Sequence, residues 1–209
     1  MDRTEFAAEH RQTYLDACAH IAEGPWTDLD KTEFALISAH CRFDKAVHGF
    51  HATRNTLGVV DTSEALFQAG VFCPGDKGAR IAELRERVQD EGLQLPGGDL
   101  HEYRREVRIR GLGYCKLSFA ACLIAPMESD IICLDTHMLQ AYLGRRITKR
   151  DTGSIYVRLG RYEEIERALL EEAVQIGMPP FAYQWAVWDW QRGRAGLQPA
   201  NHSFLWEGV

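Results

Sequence analysis

The sequence predicts an all-α protein. Apolar residues recur at helical spacing through most of the chain, strand signals are short and isolated, and Gly or Pro breaks separate the periodic runs. Residues 3–22 place Phe6, Tyr14, Ala17, Cys18 and Ile21 on one stripe, and Gly24-Pro25 ends it. Thr32 is the expected cap of a second helix reaching about Phe50, with Phe34, Ile37, Cys41 and Phe50 inward. Two more helices follow at 63–70 and 77–91, parted by Cys73-Pro74-Gly75. Pro96-Gly97-Gly98 reads as a turn, and Asp99 caps a polar helix running to Arg108. The tight turn Arg110-Gly111-Leu112-Gly113 leads into a helix over 114–125. The apolar run 131–134 then precedes Asp135 and a helix, expected to be capped by Thr136, that reaches Gly144. A long loop near 148–160 is followed by helices at 161–176 and 181–192, the second entered through Pro179-Pro180. Gly58-Val59-Val60 is a short strand candidate, and Ser154–Leu159 reads as a strand or an extended loop.

With 209 residues, 45% hydrophobic and 26% charged, the chain is neither collagenous nor low-complexity nor mainly disordered. It is long enough to bury a core without staples. No run approaches ~18 consecutive apolar residues, which excludes a transmembrane helix. Met1-Asp2-Arg3-Thr4-Glu5 lacks an apolar signal core, so a cytoplasmic location is expected. Cys18, Cys41, Cys73, Cys115, Cys122 and Cys133 contain no CxxC pair and form no disulfide framework. A net charge of −6 argues against indiscriminate polyanion binding. Residues 99–150 run the other way: nine Lys/Arg, among them Arg104, Arg105, Arg108, Arg110 and Lys116, face six acids.

That segment also holds the informative chemistry. Two glycines flanking one apolar residue permit positive φ and close backbone approach. A helix starting at such a turn directs its leading N–H groups and the positive end of its dipole outward, an arrangement that binds phosphate. Arg108, Arg110 and Lys116 add long-range attraction, and Leu112 plugs the hairpin into the core. A GxG turn by itself is an ordinary helix–helix connection. The Asp-Thr-His downstream changes that balance. Asp135 is either a plain capping carboxylate or a carboxylate at the mouth of a cleft that stabilises developing positive charge.

Ile109-Arg110-Gly111-Leu112-Gly113-Tyr114-Cys115-Lys116, then Leu134-Asp135-Thr136-His137, then Leu143-Gly144, resembles the helix-hairpin-helix (HhH-GPD) DNA glycosylase superfamily. Its pattern is L-P-G-V-G-x-K-x-A, roughly twenty residues, V-D-T-H and a helix ending in Leu-Gly. The match covers about 45 residues and keeps both halves in order. The resemblance implies two helical lobes with a cleft between them, one unit over 1–209, and the hairpin and Asp loop at about 99–144. It implies a monomeric hydrolase acting on double-stranded DNA that contains a damaged or modified base. The target nucleotide is everted, its phosphates held by Arg110, Gly111, Leu112, Gly113, Tyr114 and Lys116, and its glycosidic bond broken with Asp135 as the catalytic carboxylate. No cofactor, metal or membrane is implied.

The departures from the pattern are specific. Members with lyase activity carry a nucleophilic Lys two residues after the second Gly, where this chain has Cys115. Lys116 stands one place later, rotated by ~100° on the helix, and is expected to face phosphate or solvent. Simple hydrolysis therefore fits better than a Schiff base. No cysteine lies beyond Cys133, so the four-cysteine iron–sulfur loop of many relatives is absent; Arg110 replaces the hairpin Pro, and the loop before Asp135 is slightly long. These features mark a divergent member, with removal of hypermodified phage bases as one possible specialisation.

Other candidates are weaker. Asp44, His48 and His51 share a helix face and, with Cys73, could bind zinc, though at no standard spacing; His48 is also a candidate pocket wall. Cys115, Trp185 and Asp189 are further pocket candidates. Trp185 and Trp188, one turn apart, form either a core stripe or a stacking wall, and Asp189 needs a partner such as Arg192 or a ligand amine. Two rival functions remain: a phage-type transferase that modifies DNA bases in the same cleft, and a non-catalytic DNA-binding module.

Overall fold

A computed structural model describes residues 1–96 and 99–197, and contains twelve helices and no strand among them. The predicted turn at 96–98 falls partly outside these residues. The chain divides into two compact units, one from Met1–Glu23 with 121–197 and the other from Gly24–Ala120. No helix among the described residues is long and apolar enough to cross a membrane.

The first unit contains α1 (Arg3–Glu9), α2 (Arg11–Glu23), α9 (Thr136–Leu143), α10 (Lys149–Val157), α11 (Leu159–Gln175) and α12 (Pro180–Arg194). The predicted helix 3–22 breaks at His10, whose ring bonds back to the Phe6 carbonyl. α12 is the hub, with every residue from Phe181 to Val187 buried and α1, α2, α9 and α11 packed on it. The loop expected at 148–160 is α10: Thr148 and Asp151 cap each other reciprocally and start the helix despite its weak apolar period. Asp135, rather than Thr136, caps α9, its side chain accepting from the Met138 N–H.

The second unit contains α3 (Asp28–Ile37), α4 (Phe43–Asn55), α5 (Thr62–Gln68), α6 (Pro74–Gln89) and α7 (Leu100–Glu106). α8 (Tyr114–Ile124) holds the division between the units, between Ala120 and Ala121. The single helix expected from Thr32 to Phe50 is two helices, separated at a left-handed His40 (φ 53°). Thr27 caps α3 in a box with Asp30, whereas buried Thr32 bonds the Asp28 carbonyl one turn back. α3 is buried from Asp30 to Ile37, and its two buried acids are matched: Arg85 grips Glu33 at 2.7 and 2.9 Å, and Arg54 pairs with Asp30. Gly58-Val59-Val60 forms part of a turn, with Val59 exposed.

Two local devices set the positions that matter for function. In the hairpin, the Leu112 N–H donates to the Ile109 carbonyl at 3.0 Å, both side chains are buried, and Gly111 bends the chain at φ 89° beneath Arg80. In the other unit, residues 131–134 are buried and belong to no helix, and no strand lies among the described residues. Side chains serve their backbone instead. Glu166 accepts the Ile132 N–H at 3.0 Å, Gln184 the Cys133 N–H at 2.6 Å, and the Tyr162 hydroxyl the Leu134 N–H at 2.9 Å. The same hydroxyl donates to the Ile132 carbonyl at 3.1 Å, and Tyr156 donates to that of Leu134 at 2.9 Å.

Two stability outcomes follow. Tyr162→Phe removes one oxygen that serves two buried backbone groups, and is expected to lower the unfolding free energy by about 2–3 kcal/mol in urea titrations monitored by circular dichroism. Gly111→Ala, forced into a left-handed backbone, is expected to cost about 1–2 kcal/mol in the same measurement.

Candidate active site

Asp135 inherits its place from the clamped segment before it. Its backbone is fixed by the side chains that hold residues 131–134, and its own carboxylate is then fixed at both oxygens. Oδ1 accepts the Met138 N–H at 2.9 Å, and Oδ2 accepts the Trp188 indole N–H at 2.8 Å. The residue is half-buried at the amino end of α9, where the helix dipole favours negative charge. Trp188 is held in turn: Arg192 lies 4.5 Å from its ring centroid, and the His137 ring meets it edge-on at 5.5 Å. The Nδ1 atom of His137 is buried without a hydrogen-bond partner among the described residues. The result is a carboxylate held at both oxygens, at the N–H edge of an indole whose ring carries a guanidinium. Such a group can stabilise positive charge developing close by.

The other α12 candidates lie deeper. Trp185 is buried, edge-on to Phe181 at 5.4 Å. Asp189 is buried and accepts from the Tyr14 hydroxyl at 3.1 Å; burial, together with that facing carboxylate, pushes the Tyr14 phenol well above its ordinary range. Trp188 is thus the tryptophan that reaches Asp135. The sequence carried only the one-turn spacing of the two tryptophans, which does not say which of them faces a loop 53 residues earlier.

In the second unit, Arg110, Gly111 and Gly113 are exposed and Leu112 is buried, so the turn offers backbone and one guanidinium outward at the amino end of α8. Arg104 does not join them. It is buried, 4.8 Å from the Tyr114 ring centroid, with His101 Nδ1 at 3.0 Å from its guanidinium. Cys115 is half-buried. Lys116, expected to face phosphate or solvent, is half-buried with its ammonium donating to Ser38 Oγ at 3.0 Å and lying 5.2 Å from the Phe119 ring centroid. Nearby, Lys77 donates to the Ile37 carbonyl at 2.5 Å, and burial holds its ammonium below the ordinary lysine value. Both lysines therefore serve the carboxyl end of α3.

His48 is exposed on α4, and Asp44 pairs with Arg42 at 2.9 Å. No group of three His, Cys, Asp or Glu side chains among the described residues could hold a metal ion.

No family model matches the chain, and no curated protein matches it. Among solved structures it is similar to the Methanocaldococcus jannaschii 8-oxoguanine glycosylase/lyase, determined in complex with 15mer DNA containing 8-oxoguanine. The TM-score is 0.69 at 13% identity, over 92% of this chain and 97% of that one. At that identity the likeness is one of fold: the chain shares the all-helical architecture of this DNA glycosylase/lyase.

Proposed function

We propose that the chain is a DNA glycosylase that rotates a damaged or modified nucleoside out of a duplex and hydrolyses its N-glycosidic bond, leaving an abasic site. The observation that carries this reading is Asp135, with one oxygen held by the start of α9 and the other by Trp188. The shared fold and the exposed Gly111–Gly113 turn support it. As the bond from C1′ to the base nitrogen lengthens, its electron pair leaves with the base, which takes up a proton. The sugar becomes oxocarbenium-like, and the Asp135 carboxylate stabilises that charge. A water then adds its oxygen to C1′ and gives up a proton. Flanking phosphate rests on the hairpin amides beside Arg110. Residues 1–209 act as one functional unit, with the hairpin and Asp loop at about 99–144. Half-buried Trp188, which carries Arg192 4.5 Å from its ring centroid, borders the everted base, rather than buried Trp185.

Hydrolysis without a covalent enzyme intermediate is the preferred route. Cys115 occupies the place where lyases of the resembled superfamily have their lysine, and the neighbouring Lys116 ammonium is engaged by Ser38. Sodium borohydride added during turnover is therefore expected to trap no protein–DNA adduct; a trapped adduct assigns lyase chemistry instead.

The direct assay incubates the protein with unmodified, damaged and phage-type hypermodified duplexes and looks for free base and alkali-labile sites. Free base with abasic sites supports the proposal. A mass gain on the base in the presence of an amine donor marks a transferase, and binding alone marks a non-catalytic module. Asp135→Asn is expected to retain DNA binding and lose at least ~100-fold in base release, since it removes the charge that the transition state needs. Trp188→Phe keeps a ring but deletes the donor to Oδ2. A hydrogen bond to a charged group is worth about 1.5–3 kcal/mol, so single-turnover base release is expected to slow roughly 10–100-fold with affinity little changed.

A further inference from the structure

A cavity of about 160 Å³ lies in the unit that carries Asp135 and takes no part in the chemistry proposed above. It opens at the carboxyl ends of α9 and α12. Gln140 and Gln191 line it, their side-chain amides joined at 3.3 Å, together with Arg145, Arg146 and Arg194. Two of the three guanidiniums are held by groups beyond the cavity lining. Asp151 receives Arg145 at 3.2 and 3.3 Å, and Arg194 lies 4.7 Å from the Trp190 ring centroid. These contacts restrain two exposed guanidiniums and so lessen the freedom they lose on meeting an oxyanion.

Two features oppose an anion here, and neither prevails. Asp151 offsets one of the three positive charges and leaves a surplus. Helix carboxyl ends carry partial negative charge, but several of their carbonyls are already engaged: Gln140 O accepts from Gly144, Ala141 O from Arg3, Gln191 O from Ala195, and Arg192 O from Ala195 and Leu197. What remains is a concave, arginine-rimmed, amide-lined site that matches a tetrahedral oxyanion.

Its placement says which oxyanion. Gln140 and Gln191 each follow His137 and Trp188 by about one turn, so the cavity continues along the seam of α9 and α12 that holds Asp135. Along α9 the separation is roughly 10 Å at ~1.5 Å per residue, a few nucleotides of one strand at ~3.4 Å rise each. We propose that Arg145, Arg146 and Arg194 bind a backbone phosphate of DNA a few nucleotides from the nucleoside presented to Asp135. This rests on the DNA-processing reading above and adds a second phosphate grip, separate from the hairpin.

The test measures binding of the full chain to an undamaged, fluorescein-labelled duplex of about 20 base pairs over a salt series, since each phosphate neutralised contributes about 0.9 to the slope of log K against log salt. Arg145→Gln, Arg146→Gln and Arg194→Gln combined are expected to weaken binding about tenfold at low salt and flatten the slope by about 0.9. Arg146→Glu, at an exposed position, is expected to shift binding the same way and decides the matter if the triple variant unfolds. Arg110→Glu in the hairpin is the comparison. Wild-type slopes in both cavity variants, with a flattened slope in Arg110→Glu, overturn the cavity proposal and leave the DNA-binding reading intact. Wild-type slopes in all three overturn both. Saturable calorimetric binding of inorganic phosphate that the triple variant loses, with an unchanged DNA slope, assigns the cavity to a free phosphate compound and overturns the proposal.

Discussion

A buried segment outside any helix must find its hydrogen bonds elsewhere, and residues 131–134 find them in the side chains of α10, α11 and α12. Each backbone N–H or carbonyl left unpaired there would cost about 1–3 kcal/mol. Tyr162, Glu166 and Gln184, polar residues buried on α11 and α12, are therefore required by the segment. The consequence reaches beyond stability. Asp135 follows directly, so its position is set by the packing of three helices and not by the freedom of a loop. A carboxylate that acts through space on a transient charge needs that immobility, because electrostatic stabilisation counts only if the charge is already in place when the bond breaks.

The helices expected at 63–70 and 77–91 were legible from their apolar stripes, although of Cys73-Pro74-Gly75 only Cys73, in the left-handed conformation, belongs to the break and Pro74 already opens α6; the stripe over 3–22 is two helices parted at His10. They were misread where capping competes with composition. Thr32 has the chemistry of a cap, yet Thr27 has the partner three residues on that closes the box, and Thr32 is left to bond one turn back. Residues 149–157 have a weak stripe and four strand-favouring residues, Thr152, Ile155, Tyr156 and Val157, yet Thr148 and Asp151 start a helix. In both places a pair of residues at spacing three outweighed the average preference of the window.

The candidate site divides along the same line. What depends on neighbours in sequence could be read: the Gly111 bend, the plugging Leu112, and a carboxylate at a helix start. What depends on distant packing could not. The bond from Trp188 to Asp135 spans 53 residues, and the helical period that pairs Trp188 with Trp185 is silent on which one turns toward α9. Lys116 shows the limit from the other side. Rotation by one residue predicts that it faces phosphate or solvent, whereas its ammonium goes to Ser38 at the carboxyl end of α3.

Under the proposed function, charge sets the terms on which the protein meets DNA. A chain with a net charge of −6 is repelled by a polyanion at long range, so its attraction must come from a few local cations. Several nominal cations are already spent inside the fold: Arg104 on Tyr114, Lys77 and Lys116 on the end of α3, and Arg85 on Glu33. Few phosphate contacts mean a shallow salt dependence and a weak hold on ordinary duplex. Under the proposed function that weakness is useful. A protein that grips every phosphate lingers on undamaged DNA, whereas one with a sparse grip leaves it quickly and binds long enough to react only where an easily everted nucleoside adds its own contacts. Discrimination then rests on the nucleoside, and the rigid Asp135–Trp188 pair determines whether its glycosidic bond breaks.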